Sequence, residues 1–288
     1  MNNTKVLLSR MKSIRQTVKI SSAQKLIASS RINRARRMLE ADRPFHERVR
    51  QAIAEILALR PEAISAFLEK PGANYSKRGL LIISADRGLA GGYNGNVIKL
   101  AQQTIAENVP AHIIVLGKVG RVRLSALHIQ YDAELPLPMD VPRMYSAREI
   151  AEKLIELFES GEVDCFDVIY THFISAVRMY PRMERLFPLS PQLFREHGAL
   201  RSDVEFEPSP EALLQVLISK YLKGFLYGCL VHAWTSELTS RITAMDNAIR
   251  NGNEMLDKLQ LVYNRARQAN ITQEITEIVA GASYMGEE

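Results

Sequence analysis

Apolar residues recur at alternating three- and four-residue spacing at both ends of this chain. In the C-terminal stretch the positions are Ile242, Met245, Ile249, Gly252, Leu256, Leu259, Tyr263, Ala266, Asn270 and Gln273, the 3-4 signature of a helix that packs along one seam. It turns polar at Asn270 and Gln273, where the apolar set shifts to Ile271, Ile275 and Ile278. In the N-terminal stretch the same spacing runs through Met11, Ile14, Val18, Ser21, Lys25, Ala28, Ile32, Ala35, Leu39, Asp42, His46, Val49, Ile53 and Ile56. Lys25, Asp42 and His46 are polar interruptions, whereas Ser21, Ala28, Ala35, Gly252 and Ala266 are small enough to let a partner helix come close.

Proline placement agrees with this division. All twelve prolines fall between Pro44 and Pro210, and proline inside a helix costs about 3 kcal/mol. The proline-free ends, 1–43 and 211–288, are therefore where long helices fit, with a kink or short break expected at Pro44. Ser209 as N-cap and Pro210 at the first helical position mark the start of the C-terminal helix, and Gly281 its end. Some 70 residues of helix span about 105 Å at 1.5 Å per residue, longer than a domain of this size is wide, so such a helix must project. Two such helices predict an antiparallel pair within one chain. The alternative is that each seam packs on a globular core or on a second copy of the chain.

The middle alternates strand and helix. "GLLIIS" (Gly79–Ser84), "AHIIVLG" (Ala111–Gly117) and "FDVIYTHFIS" (Phe166–Ser175) read as strands. An amphipathic helix follows the first, and "SAREIAEKLIELFESGE" reads as a helix with a capping box from Ser146 to Glu149. "RMERLFPLS" and "DVEFEP" read as edge strands or loops. The predicted class is α/β with long helical extensions: an antiparallel coiled coil of N- and C-terminal helices and an inserted Rossmann-like α/β domain with a largely parallel sheet. The expected boundaries are 1–60, 75–207 and 209–284.

Composition changes this picture at one place. Residues 1–39 hold ten Lys or Arg and no Asp or Glu, within a chain of net charge +5, so the remainder is net negative. A basic arm of this kind suits nucleic acid, an organelle presequence or acidic protein partners. Its charges interleave with a seam that starts inside any presequence and continues past it, and no aromatic residue accompanies them before Pro44. No unbroken apolar run approaches the ~20 residues that span a bilayer. Cys165 and Cys229 have no CxxC spacing and read as free thiols.

Candidate chemistry is sparse. The turn "ADRGLAGGYNG", with Gly88, Gly91, Gly92 and Gly95, follows a strand and opens a helix, a place where backbone N–H groups can meet a phosphate. Its spacing is neither GxGxxG nor GK[ST], so a tight structural turn competes with nucleotide binding. The six histidines show no metal-ligand spacing, and no GxSxG occurs.

Three segments carry a resemblance. "SADRGLAGGYN" (Ser84–Asn94) resembles the SDRGLCGGYN-type motif of the γ subunits of F-type ATP synthases, with Ala85 inserted and Ala90 where many relatives have Cys. "ITAMDNAIRNGNEMLDKLQLVYNRARQANITQEITEIVAGA" (Ile242–Ala282) is similar to that family's C-terminal signature, and "KSIRQTVKISSAQKLIASSRINRA" (Lys12–Ala35), more loosely, to its N-terminal helix. The resemblance implies a non-catalytic central shaft of a rotary motor, without a cofactor. Its coiled coil enters a hexamer of α and β subunits, and its α/β domain forms a foot with the ε subunit on the membrane ring of c subunits. Rotation is driven by proton or sodium flow. The implied location is peripheral, in the F1 sector at the cytoplasmic face of the cell membrane, with membrane contact only through the complex and no nucleic-acid partner. Arg267, Gln268 and Thr272 match family positions that hydrogen-bond a β-subunit loop, and the basic arm is implied to face acidic β-subunit segments. Asp86, Arg87, Gly88, Gly91 and Gly92 are then a structural turn. The rival classes are a dinucleotide-dependent enzyme with helical extensions and a coiled-coil nucleic-acid binder.

Overall fold

A computed structural model describes residues 2–60, 67–69, 75–132, 141–197, 207 and 209–285. The chain forms two compact units, one of Met1–Ser29 with Arg241–Glu288 and one of Ser30–Ser240.

Helices α1 (Asn2–Leu59) and α5 (Pro210–Met285) supply the first unit with its two strands. Its packing follows the sequence seam. On α5, Ile242, Met245, Ile249, Gly252, Leu256, Leu259, Tyr263, Ala266 and Asn270 are buried or half-buried, and nearly every residue between them is exposed. On α1, Met11, Ile14, Val18, Ser21, Lys25 and Ala28 are likewise turned inward. The direction is antiparallel: Ile14 and Val18 meet Gly252, and Lys25 Nζ reaches Asp246 Oδ1 at 2.5 Å. A Cβ on Gly252 would stand 2.4 Å from Val18 Cγ2, so glycine sets how closely the helices approach. Gln273, the last expected seam position, is exposed, as are all residues from Ile271 to Val279.

In the second unit a four-stranded sheet has the order β2-β1-β3-β4. The strands are β1 (Arg78–Ile83), β2 (His112–Leu116), β3 (Cys165–Ser175) and β4 (Arg178–Phe187). β1 pairs in parallel with β2 and β3, and β3 turns back antiparallel into β4, which with β2 forms the two sheet edges. Alternation along β1 separates two apolar faces. Leu80 and Ile82 pack with α2 (Tyr93–Glu107) and α3 (Lys118–Ala126). Leu81 and Ile83 pack with α4 (Met144–Glu159), with Val49, Ile53 and Ile56 of α1, and with Leu214 to Ala233 of α5. The strand-helix-strand plan read from sequence is present, with α3 as an element the pattern did not reveal.

Three expectations change. α1 runs unbroken through Pro44; Pro44 and Glu40, whose carbonyl loses its intrahelical donor, are both exposed, so water can serve that carbonyl. Ser146 and Glu149 form no capping box: α4 begins at Met144, and Arg143 caps it without a side-chain bond. Burial of Ala147, Ile150, Ala151 and Leu154 against the sheet sets the helix register and draws Ser146 inside its first turn. α5 continues past Gly281 to Met285. It also contains a stretch apolar enough by composition to cross a membrane (mean hydropathy 1.2), of which 56% is buried inside the protein, so that apolarity faces the core. The start of α5 is as read, with Ala212 N donating to Ser209 Oγ at 3.2 Å. "DVEFEP" lies outside the described residues except Glu207.

Candidate functional site

Two groups of residues were singled out from sequence, and the structure places them in different units. Arg267, Gln268 and Thr272 stand on α5, all exposed, at the end of the seam where Ala266 and Asn270 are the last half-buried positions among the described residues. Helical geometry makes Gln268 and Thr272 neighbours four apart, and Arg267 and Ile271 another such pair. Thr276 Oγ1 donates to the Thr272 carbonyl at 2.8 Å. Ile271, Ile275, Ile278 and Val279 follow with exposures of 43%, 56%, 71% and 58%. A guanidinium fork, an amide and a hydroxyl here flank an apolar strip on a helix surface, which suits gripping a loop of another chain rather than enclosing a substrate.

Asp86, Arg87, Gly88, Gly91 and Gly92 form the second group, between β1 and α2. The segment is tied down by its neighbours. Ala85 N donates to Asn94 Oδ1 at 2.9 Å and Val119 N to the Ala85 carbonyl at 3.0 Å. Lys118 N donates to Asp86 Oδ1 at 3.0 Å. Ser84 Oγ donates to the Leu116 carbonyl at 2.8 Å and accepts from Gly120 N at 3.0 Å. Gly91 has φ 55° and Leu89 φ 61°, the left-handed region that glycine enters without strain. Ala85, Ala90 and Tyr93 form a small buried cluster, and burial, then the charge of Glu237 on α5, pushes the Tyr93 phenol well up. Gly92 precedes α2 with no side-chain cap.

Sequence reading missed a polar cluster in the unit of residues 30–240. Asp167 on β3 accepts from Arg78 of β1 and, at 2.5 Å, from Arg185 of β4. Tyr170 donates to Glu184 at 2.6 Å and accepts from Arg182 at 3.0 Å. His172 stacks on His232 of α5 with ring centres 4.3 Å apart, and the Phe173 N–H donates to His232 Nδ1 at 3.2 Å. That bond leaves the His232 proton on Nε2. Burial, then His172 and Arg182, hold the His232 imidazole down to about 4. These residues sit on four elements, so no local motif announces them. Among the described residues, no three His, Cys, Asp or Glu side chains gather as metal ligands would.

Several known proteins are similar to this chain. A family described as ATP synthase matches residues 3–285. The ATP synthase gamma chain of Ruminiclostridium cellulolyticum is 42% identical over 300 residues, covering 99% of both chains. Among solved structures, a chain of the Tetrahymena thermophila mitochondrial ATP synthase central stalk and c-ring has a TM-score of 0.60 at 22% identity, with 80% of this chain and 99% of that one covered. A chain of the Euglena gracilis mitochondrial ATP synthase rotor has a TM-score of 0.60 at 13% identity, covering 94% and 99%.

Proposed function

Because the chain belongs to the ATP synthase gamma-chain family, we propose that it is the central stalk of a rotary ATP synthase, carrying torque between a membrane ring of c subunits and a catalytic hexamer of α and β subunits. A gamma chain is a subunit of that enzyme complex, part of its F1 sector and peripheral to the membrane. The observation that carries the reading is the match of nearly the whole chain to a gamma chain, end to end on both sides. The paired helices of residues 2–29 and 241–285 support it, because transmitting torque calls for a stiff element rather than a pocket. The exposed surface of that pair is mostly charged or polar, as sliding past neighbours requires.

Several finer assignments rest on this reading. The chain itself holds no catalytic residue. Arg267, Gln268 and Thr272 grip a loop of one β subunit; their full exposure at the end of the seam supports this. The basic arm, whose arginines and lysines are almost all exposed, faces acidic β-subunit segments. The sheet-bearing unit contacts the ε subunit and the c ring, on the cytoplasmic face of the membrane. The turn of Asp86, Arg87, Gly88, Gly91 and Gly92 is a structural joint, supported by the neighbouring N–H groups of Ala85, Lys118 and Val119 already being engaged within the fold.

The test is reconstitution. The chain, co-expressed with the α and β subunits of the same synthase, is expected to co-purify with them as one complex. A probe fixed to its α/β unit is expected to rotate when the complex hydrolyses ATP. A hexamer that assembles, turns over and leaves this chain behind would overturn the stalk assignment.

A further inference from the structure

β1 pairs with β3 as far as Ile82 and Ile169, whereas β3 and β4 pair with each other out to Ser175 and Arg178. The outer half of this hairpin, Thr171 to Pro181, therefore leaves the sheet as a two-stranded ribbon, and two strands alone are marginally stable in water. Its position depends on what it leans on. Ser236 Oγ of α5 donates to the Thr171 carbonyl at 3.3 Å, the Phe173 N–H donates to His232 Nδ1 at 3.2 Å, and Ser240 Oγ donates to Met179 Sδ at 3.5 Å. His172 stacks on His232. Met179 and Pro181 also face the start of α2 across a small cavity, and Phe173 to Ala176 wall a groove of about 840 Å³ against α1. Two atoms of the ribbon, Thr171 Oγ1 and His172 Nδ1, are buried without a partner. Buried polar atoms are almost always paired, so the docked ribbon forgoes two bonds that water supplies once it lifts.

The tie at His232 is the one that a proton can reverse. Its Nδ1 accepts from Phe173, and a protonated imidazole has only donors. The charge would also find no free counter-ion. His172 from β3 and Arg182 from β4 oppose it, as does His46 of α1. Asp42 is already engaged by His46 at 3.1 Å, and Glu184 by Tyr170 and Arg182. At the adjoining groove Arg36 and Arg50 stand against Glu40 and Glu47. We propose that the outer half of the hairpin is an acid-released strap: a proton taken up at Nδ1 of His232 turns the acceptor of the Phe173 N–H into a donor and frees the ribbon from α5 and the α1 groove while the sheet stays folded. The docked form holds the His232 imidazole down to about 4, by burial and then by His172 and Arg182. A released one titrates near 6.5. The released form therefore binds more protons, and its share rises as pH falls below about 6.5. The strap stands on the geometry of the sheet-bearing unit and is independent of the stalk role.

Hydrogen exchange of the full chain, followed by mass spectrometry and corrected for intrinsic rates, tests it. Amides of 171–181 are expected to be far less protected than those of β1 at both pH 7 and pH 5. Their protection should fall roughly tenfold or more between the two, with β1 still protected at pH 5. His232→Gln, whose amide oxygen can accept from Phe173 but takes up no proton, is expected to abolish that fall. If His232→Gln does not fold, His232→Met, which takes up no proton either, is read in the same way: a looser ribbon whose protection no longer changes with pH. Ribbon amides that exchange only together with β1, or an equal fall in the folded variant, overturn the proposal.

Discussion

Gly252 and His232 are single positions on which much of the packing turns. A methyl on Gly252 would meet Cγ2 of Val18 at 2.4 Å, and a β-branched side chain has little freedom to retreat. Overpacking costs about 1–3 kcal/mol, whereas glycine to alanine in a helix gains up to about 1 kcal/mol. Gly252→Ala is therefore expected to lower stability in denaturant melts by about 1 kcal/mol, and Val18→Ala in the same chain to recover most of the loss. A Gly252→Ala chain as stable as the parent would show that the helices are not pinned there. His232 makes its contribution through charge it does not carry. Its imidazole is held down to about 4 by burial, His172 and Arg182, so the folded chain takes up fewer protons than an unfolded one titrating near 6.5. The stability this confers is complete above about pH 6.5 and is lost as pH falls toward about 4. Melts at pH 7 and pH 5 are expected to differ by roughly 1–2 kcal/mol from this group. His232→Gln, whose amide oxygen can still accept from Phe173 N, should flatten that dependence. An equal slope in the variant would assign the acid sensitivity to other groups.

Among the elements, the two long helices were the most legible in the sequence and the polar cluster the least. Every seam position named from the 3-4 spacing between Met11 and Ile56 is turned inward, because a helix pair repeats one local geometry that the sequence must repeat too. The polar breaks in that spacing find polar partners: Lys25 meets Asp246 and Asp42 meets His46. α3 escaped because its nine residues bury only Gly120 and Leu124, too few for a period to show. Arg78, Asp167, His172, Arg182 and His232 escaped for another reason. They converge from β1, β3, β4 and α5, and only the tertiary fold brings those elements together. The direction of the helix pair can be tested at one spot. A Cβ on Gly252 stands 3.9 Å from Cβ of Val18, inside the ~3.5–4.5 Å window of a disulfide. Val18→Cys with Gly252→Cys, in a chain lacking Cys165 and Cys229, is expected to oxidise within one molecule and run as a monomer on non-reducing gels. Crosslinking only between molecules would mean that the seams pair across copies.

For the whole molecule, the expected signature of a stalk is that residues can matter to the complex without mattering to the fold. Arg267→Ala with Gln268→Ala, both exposed on α5, should leave the melting of the isolated chain within about 1 kcal/mol of the parent. The ATPase coupling of the reconstituted complex should fall. A large loss of stability in the isolated chain would instead assign the pair to packing. The antiparallel pairing of Val18 with Gly252 also has a consequence in time. The two halves of that contact are made at opposite ends of synthesis, and at roughly 5–20 residues per second the first waits some ten to fifty seconds for the second. During that interval Met11, Ile14 and Val18 have no partner helix. The same segment carries Arg10, Lys12, Arg15 and Lys19 and no acidic residue. Mutual repulsion between nascent chains keeps such an arm apart from its copies until the last helix leaves the ribosome.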